Sequence, residues 1–513
     1  MKKGFTLIEL LAVILILGII ALIAIPTVNK IISEARYGAF KTSNDNIMKT
    51  IEQSCQASLI KGKNPVLSYI FTDGVSNNKI DIKGTLPNDG YIFLDRDCNI
   101  TDYYLTDNKN IYSNGEDVRI DYMLKAPTEE ATSILKTLYP DHYNNIINVN
   151  IVKNLNIPNN AIEVNDPSVS ENGKIKSWLV PNESNYDLYI GSLEKIYTNY
   201  DSSYLFFGLS NVININLSNL NTSFTNNMEA IFHNCYKLVN LDLSNWSTNN
   251  VVNMKKIFYN CRELINIDLS SFNTDNVEKD GLINAFQNCY KLESLDLSNW
   301  NTNKITSFAS LFNNCISLKY LDISTWDTSN VDNMYAMFSD LKSMTTLDVS
   351  HFITNKVTDM QFMFDGIEYG SGLIEIKGLE NFDLSSLKYM GAMFAYSNKI
   401  KEIKFSNAST SKLESIACTW NNNRISLFNG CTSLTYIDLG SLNLINSNYL
   451  SMIFQNVPNL NKIKYNNAVG IDRLLEYIPT MDENNKGTFI VEDKNNITSQ
   501  QISILNSKNW NVI

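Results

Sequence analysis

The chain opens with an apolar stretch, Phe5 to Ile25, broken only by Thr6, Glu9 and Gly18. Its 21 residues predict a helix long enough to cross the roughly 30 Å hydrocarbon core of a membrane. Lys2 and Lys3 precede it and orient that helix with the rest of the chain outside the cell. Pro26 follows, where a proline removes one backbone hydrogen bond and kinks a helix that runs on. Beyond it Val28, Ile31, Ile32, Ala35, Ala39, Ile47, Met48, Ile51 and Cys55 recur at mostly helical spacing among Lys30, Glu34, Arg36, Lys41 and Lys49. This predicts an amphipathic helix to about Leu59. Short β-favouring runs such as Tyr91 to Leu94, separated by turn clusters, then predict a small sheet over 61–121. An amphipathic helix over Glu129 to Tyr139 leads into Asn- and Pro-containing sequence read as a linker.

Past residue 200 the chain repeats itself. A phenylalanine recurs at 206, 232, 258, 286, 312, 338, 364, 394, 428 and 454, with gaps of 26, 26, 28, 26, 26, 26, 30, 34 and 26. In each unit leucines alternate with polar residues: Leu241 and Leu243 face one side while Asp242 between them faces the other. No single unit can bury its leucines alone, so neighbouring coils must stack, with a parallel sheet along one face. Cys235, Cys261, Cys289, Cys315 and Cys431 fall three residues after the phenylalanine, in a slot that other units fill with Leu209, Leu341 and Val457. That interchange makes the slot apolar and the thiols free. Cys418 lies outside the register and has no assigned role. Trp246, Trp300 and Trp326 share a slot with Phe272 and Phe352 and are read as core.

A second series, Asp242, Asp268, Asp296, Asp322, Asp348 and Asp438, forms a displayed ladder of carboxylates at strand spacing. Hydrogen bonding and solvation by the surrounding Ser, Thr and Asn is the first reading of it, and calcium the second. Lys377, Lys404 and Lys464 replace the aspartate in later units, changing the charge of that face. Cys55 and Cys98, alone in the first quarter of the chain, are either a helix-to-sheet bridge or two buried thiols.

Charge and composition narrow the function. A net charge of −11 with no basic run after residue 30 argues against nucleic acid as a partner. The three histidines, His142, His233 and His351, have no partner motif, and nucleophile elbows, zinc-protease motifs, phosphate loops and CxxC pairs are missing from the sequence. The chain is read as a non-enzyme, with no cofactor and no metal site.

Two resemblances sharpen this. Gly4, the aromatic Phe5, the run TLIEL with its acid at Glu9, and Pro26 resemble the type IV prepilin family. That resemblance implies cleavage between Gly4 and Phe5 by a prepilin peptidase, methylation of the new amine, and pairing of Glu9 with another pilin subunit during assembly. A buried cation would offset the cost of that buried carboxylate. The FxxCxxLxxLDLSxWxT pattern, over roughly 174–465, resembles BspA-like leucine-rich repeat surface proteins. Together they imply an α+β chain: an N-terminal transmembrane or pilin-like long helix with a small β head, then a leucine-rich-repeat-like β solenoid. The expected boundaries are a leader at 1–4, transmembrane or pilus-core helix at 5–28, pilin-like helix and sheet at 29–125, linker at 126–172, cap at 173–205, repeats at 206–470 and a second cap at 471–513. The expected function is a minor or tip pilin at the cell membrane and surface, adhering to a protein or glycan. The alternative is a pseudopilin-like part of a secretion or DNA-uptake machine, with the repeats as spacer.

Overall fold

Residues 38–58 are helical, and Ile47, Ile51 and Cys55, four apart on one face, are buried. They pack on Ile92, Leu94, Cys98 and Leu105. Those residues come from, or directly follow, an antiparallel five-stranded sheet ordered Val75–Ser76, Ser68–Thr72, Asp89–Leu94, Ile100–Thr106, Ile111–Ser113. Cys55 and Cys98 are joined by a disulfide that ties helix to sheet. This is a computed structural model; it describes residues 35–36, 38–58, 60–61, 68–72, 75–76, 86–87, 89–94, 98, 100–106, 111–113, 122–126, 132–169, 173–405, 410–444, 450–467 and 470–513. The chain divides into two compact units, Met1–Met123 and Leu124–Ile513.

The expected fold class is corrected on two points. Among the described residues no helix is long and apolar enough to cross a membrane; the stretch Phe5–Ile25, with Gly4, Glu9 and Pro26, lies outside the described residues. The leucine-rich-type solenoid with one continuous parallel sheet is replaced by several small sheets whose repeat strands are two or three residues long. The helices of the second unit, Ile134–Leu138, Ile471–Tyr477 and Ser499–Ser507, are short and lie outside the repeats.

The described stretch 132–169 of the expected linker 126–172 is not a linker. Ser133 caps the helix Ile134–Leu138 by accepting from the Leu135 amide. Strands Ile146–Val152 and Ile162–Asn165 then join a six-stranded sheet onto which the first repeat strands, Asn214–Asn216 and Asn240–Leu241, are added in parallel. The reason was visible in the sequence as the alternation Asn148-Val149-Asn150-Ile151, whose apolar members are buried. At the other end Gly487–Ile490 and Trp510–Val512 extend the ladder from Lys462–Lys464 in parallel.

Each repeat is mostly turn, and two backbone features make it so. The residues two before and two after the repeat phenylalanine sit in the left-handed region: Ala230 and Asn234 around Phe232, Lys256 and Asn260 around Phe258, Ser310 and Asn314 around Phe312. Such residues end a strand or helix, so the coil advances by turns. The coils are then joined by backbone bonds between them, as from the Phe232 amide to the Ile257 carbonyl and from Phe258 to Ala285. Phenylalanines of successive coils stack, with ring centroids 5.5 Å apart for Phe206 and Phe232 and 5.7 Å for Phe232 and Phe258. Burial of each such ring stabilises by about 1.5–3 kcal/mol, and the stacking places each ring from Phe232 to Phe394 between two others. Trp246, Trp300 and Trp326 are buried beside them.

The threonine that ends the W-x-T and F-x-T motifs is buried and joins coils through its hydroxyl. Thr248 donates to the Asn273 carbonyl and accepts from the Asn273 amide, and Thr274 does the same with Asn301. The cysteine slot is a hydrogen-bonding slot as well as an apolar one. Each ladder thiol donates to the phenylalanine carbonyl of the preceding coil, as Cys261 to Phe232 and Cys289 to Phe258, both at 3.2 Å. Ser397 fills the same slot and donates to Phe364.

Candidate ligand-binding site

The aspartate ladder is accounted for by its own turns. Oδ1 of Asp242, Asp268, Asp296, Asp322 and Asp348 accepts from the amide two residues on, at 2.9–3.0 Å, closing an Asx turn in each coil. Bonding to the following serine holds the carboxyls of Asp242, Asp268, Asp322 and Asp348 below the usual range. Among the described residues no group of three or more His, Cys, Asp or Glu is arranged to hold a metal ion. Asp438 is not displayed: it is 2% exposed. Its strand lies between those of Lys404 and Lys464, and Lys464 Nζ approaches its carboxylate at 3.3 Å and also pairs with Glu492. The lysines that replace aspartate thus stand next to one, as Lys377 does beside Asp348, and like-charge repulsion is removed there.

A different site forms where the repeat breaks. The left-handed slot after the phenylalanine holds Asn234, Asn260, Asn288 and Asn314 in turn. Asparagine tolerates that conformation and adds a bond that glycine cannot. Each amide donates to the one before: Asn260 to Asn234 at 2.7 Å, Asn288 to Asn260 at 2.8 Å and Asn314 to Asn288 at 2.8 Å. The next coil places Asp340 in the slot, with a φ of 58°. A carboxylate has no N–H to give, so Asn314 Oδ1 is left buried without a hydrogen-bond partner.

Asp340 instead accepts the backbone amides of Glu368, Tyr369 and Gly370 at 3.1, 2.6 and 3.0 Å. These belong to an insertion that lengthens the spacing from Phe364 to Phe394 to 30 residues. The following insertion, between Phe394 and Phe428, forms an antiparallel hairpin, Ala417–Trp420 with Asn423–Ser426. Its two-residue turn, Asn421 and Asn422, has both φ angles positive and projects Trp420 at its edge. Cys418 lies half-buried on this hairpin, packed in a cluster with Phe362 and Trp420.

Together with the neighbouring coils these loops line a half-open cavity of about 410 Å³. Its floor holds Asp365, 2% exposed, whose Oδ2 accepts from the Ile367 amide while Oδ1 is buried without a partner. Burial, reinforced by the neighbouring Asp340 carboxylate, pushes the Asp365 carboxyl well above the carboxylate range, and Asp340 is raised by burial too. Glu368 accepts from the Asn314 amide at 3.2 Å. The walls are aromatic: Phe362 lies 5.5 Å from Tyr335 and 5.7 Å from Trp420, centroid to centroid, and Tyr369 lies 5.6 Å from Tyr290. The lining contains no lysine, arginine or histidine. Arg262 stacks over the Tyr236 and Tyr290 rings without lining the cavity.

None of the sequence-predicted site residues lies in this cavity. The signal that could have found it was present as the asparagine of each F-x-N-C motif, its change to Asp340, and the two lengthened spacings beside it.

A protein of stacked, turn-rich coils with a pocket at its irregular repeats is the class this geometry defines. The chain belongs to the family described as Mycoplasma protein of unknown function, DUF285, whose model matches residues 197–283, 280–402 and 369–471, together more than half of the sequence. The prokaryotic N-terminal methylation motif matches residues 1–25. That motif supports the prepilin methylation segment and implies prepilin peptidase processing and pilin-type assembly in general, at a membrane or pilus surface. No curated protein and no solved structure matches the chain.

Proposed function

We propose that this chain is a minor or tip pilin-like surface protein whose coiled unit adheres to an extracellular protein or glycan. The observation that carries the reading is the union, in one chain, of an N-terminal methylation motif with a repeat unit that forms an aromatic, acidic pocket. The motif supports delivery through the pilus-type route, and Gly4, Phe5 and Glu9 are its processing and assembly residues. The pocket supports binding through its aromatic walls and its buried acceptors. Mass spectrometry of the mature amino terminus is expected to find an N-methylated Phe5, and an uncleaved Met1 would refute the processing route. Deletion of residues 197–471 is expected to abolish attachment of the producing cell to its target surface. Unchanged attachment would leave the coils as spacer in an assembly machine.

A further inference from the structure

We propose that the cavity lined by the two inserted loops takes an organic ammonium group, carried by a lysine-like alkyl chain or by an amino sugar. Four observations converge on that chemistry. Two polar atoms are buried at the cavity without partners, Asn314 Oδ1 and Asp365 Oδ1, and both are acceptors. A ligand held there therefore presents donors. Asp340, Asp365 and Glu368 crowd the same lining, with no cationic side chain among the lining residues. A neutral hydroxyl would leave the buried carboxyls held toward their uncharged form, whereas an ammonium fills the acceptors and favours the ionised carboxylate. The aromatic wall of Tyr335, Phe362 and Trp420 presents ring faces and edges to the same space, and a cation near such rings is held by their quadrupoles. The metal alternative fails on geometry, because the acidic groups are not arranged as a chelating set.

The local sequence explains why this coil differs from the asparagine-bearing units before it. In the regular units an amide at the slot feeds the amide before it, and the acceptors are used up within the ladder. Asp340 stops that transfer, and the loop it anchors brings Asp365 and Glu368 toward the acceptor left over on Asn314. An ammonium carries three N–H donors, as many as two orphan oxygens and one further acceptor can take.

The inference deepens the binding function proposed for the coiled unit and rests on it for the location of the ligand outside the cell. Isothermal titration calorimetry of the full chain with pentylammonium and with glucosamine tests it, beside their neutral counterparts 1-pentanol and glucose. At least one ammonium is expected to bind, with its neutral counterpart at least tenfold weaker. Preference for pentylammonium assigns a lysine-like source, and preference for glucosamine an amino sugar. Asp365→Asn is expected to weaken the ammonium at least tenfold, and Trp420→Ala, at the exposed hairpin edge, severalfold with the carboxylates retained. Equal binding of the neutral compounds, binding unaffected by Asp365→Asn in a folded variant, or no binding by either ammonium would overturn the proposal. If the ammonium fails while attachment still depends on residues 197–471, the ligand class is wrong and the adhesive reading stands.

Discussion

Replacing Asn288 separates the two jobs of the asparagine slot. Its side chain donates to Asn260 and accepts from Asn314, both at 2.8 Å, and its backbone sits at a φ of 63°. Asn288→Gly removes both side-chain bonds, at about 0.5–1.5 kcal/mol each, and keeps the backbone comfortable, for a loss of roughly 1–3 kcal/mol. It also gives the unfolded chain more freedom, adding about 0.5–1 kcal/mol. Asn288→Ala loses the same bonds and holds a Cβ in the left-handed region, which costs about 1–2 kcal/mol. Alanine is therefore expected to destabilise more than glycine, reversing their usual order. Gly208 occupies the same slot at a φ of 75°, and a Cβ built there meets nothing within 4 Å. Gly208→Ala thus isolates the backbone cost, with a net loss of about 1 kcal/mol after the stiffer unfolded chain is counted. Urea unfolding followed by the fluorescence of the buried Trp246 and Trp300, with hydrogen exchange of the adjoining coils, reads all three variants. The reasoning is refuted if Asn288→Ala is no worse than Asn288→Gly, or if Gly208→Ala is neutral or stabilising.

Stability should depend on pH in two opposed limbs. Asp340, Asp359 and Asp365 are raised by burial, so their ionisation favours the unfolded chain, and that penalty disappears as pH falls from neutral through their folded values. Asp242, Asp268, Asp322 and Asp348 are held low by serine, so their contribution is present above the unfolded carboxyl value and is lost as pH falls through their lowered ones, below about 4. Urea midpoints measured against pH should pass through a maximum on the acid side of neutrality, and Asp365→Asn should flatten the limb above it; a midpoint that only falls on acidification from neutral contradicts the assignment. Thiol titration of the native chain should modify half-buried Cys418 first, and slowly, since burial pushes its thiol up to about 12. Cys235, Cys261, Cys289, Cys315 and Cys431 should react only at the rate of unfolding, and rapid labelling of any of them would contradict their burial.

What the sequence made legible was whatever the repeat states many times over. The phenylalanine register, the buried leucines on either side of an outward Asp242 and the burial of Trp246 and Trp300 follow from period and alternation alone. The length of the strands did not, because a leucine pattern says which face is buried and leaves the backbone between buried positions open. Two left-handed residues per coil decide that question, and Ala230, Lys256 and Ser310 carry no compositional mark of it. Cysteine interchange with leucine pointed to an apolar slot, and the thiol bond to the preceding coil was invisible without coordinates. The strand at Ile146–Val152 is hidden in the sequence because asparagine is a common loop residue, whereas in Asn148-Val149-Asn150-Ile151 it marks the outer face of a strand.

The pocket was illegible for a reason that belongs to repeat architecture itself. In a stack of equivalent coils the slot asparagines find their partners one coil away, so that ladder satisfies itself and offers each position many times over. A unique site needs a coil whose neighbour cannot answer. Asp340 supplies that by filling an amide slot with a carboxylate, which strands the Asn314 carbonyl oxygen on one side and captures the inserted loop on the other. Leaving such a polar atom buried and unpaired costs about 1–3 kcal/mol, and the raised Asp365 carboxyl adds to that cost. A structural role for Asp340 alone accounts for the anchored loop and leaves those two orphan acceptors unexplained. A ligand that supplies donors accounts for both, and it locates the specificity of the coiled unit at its irregular repeats.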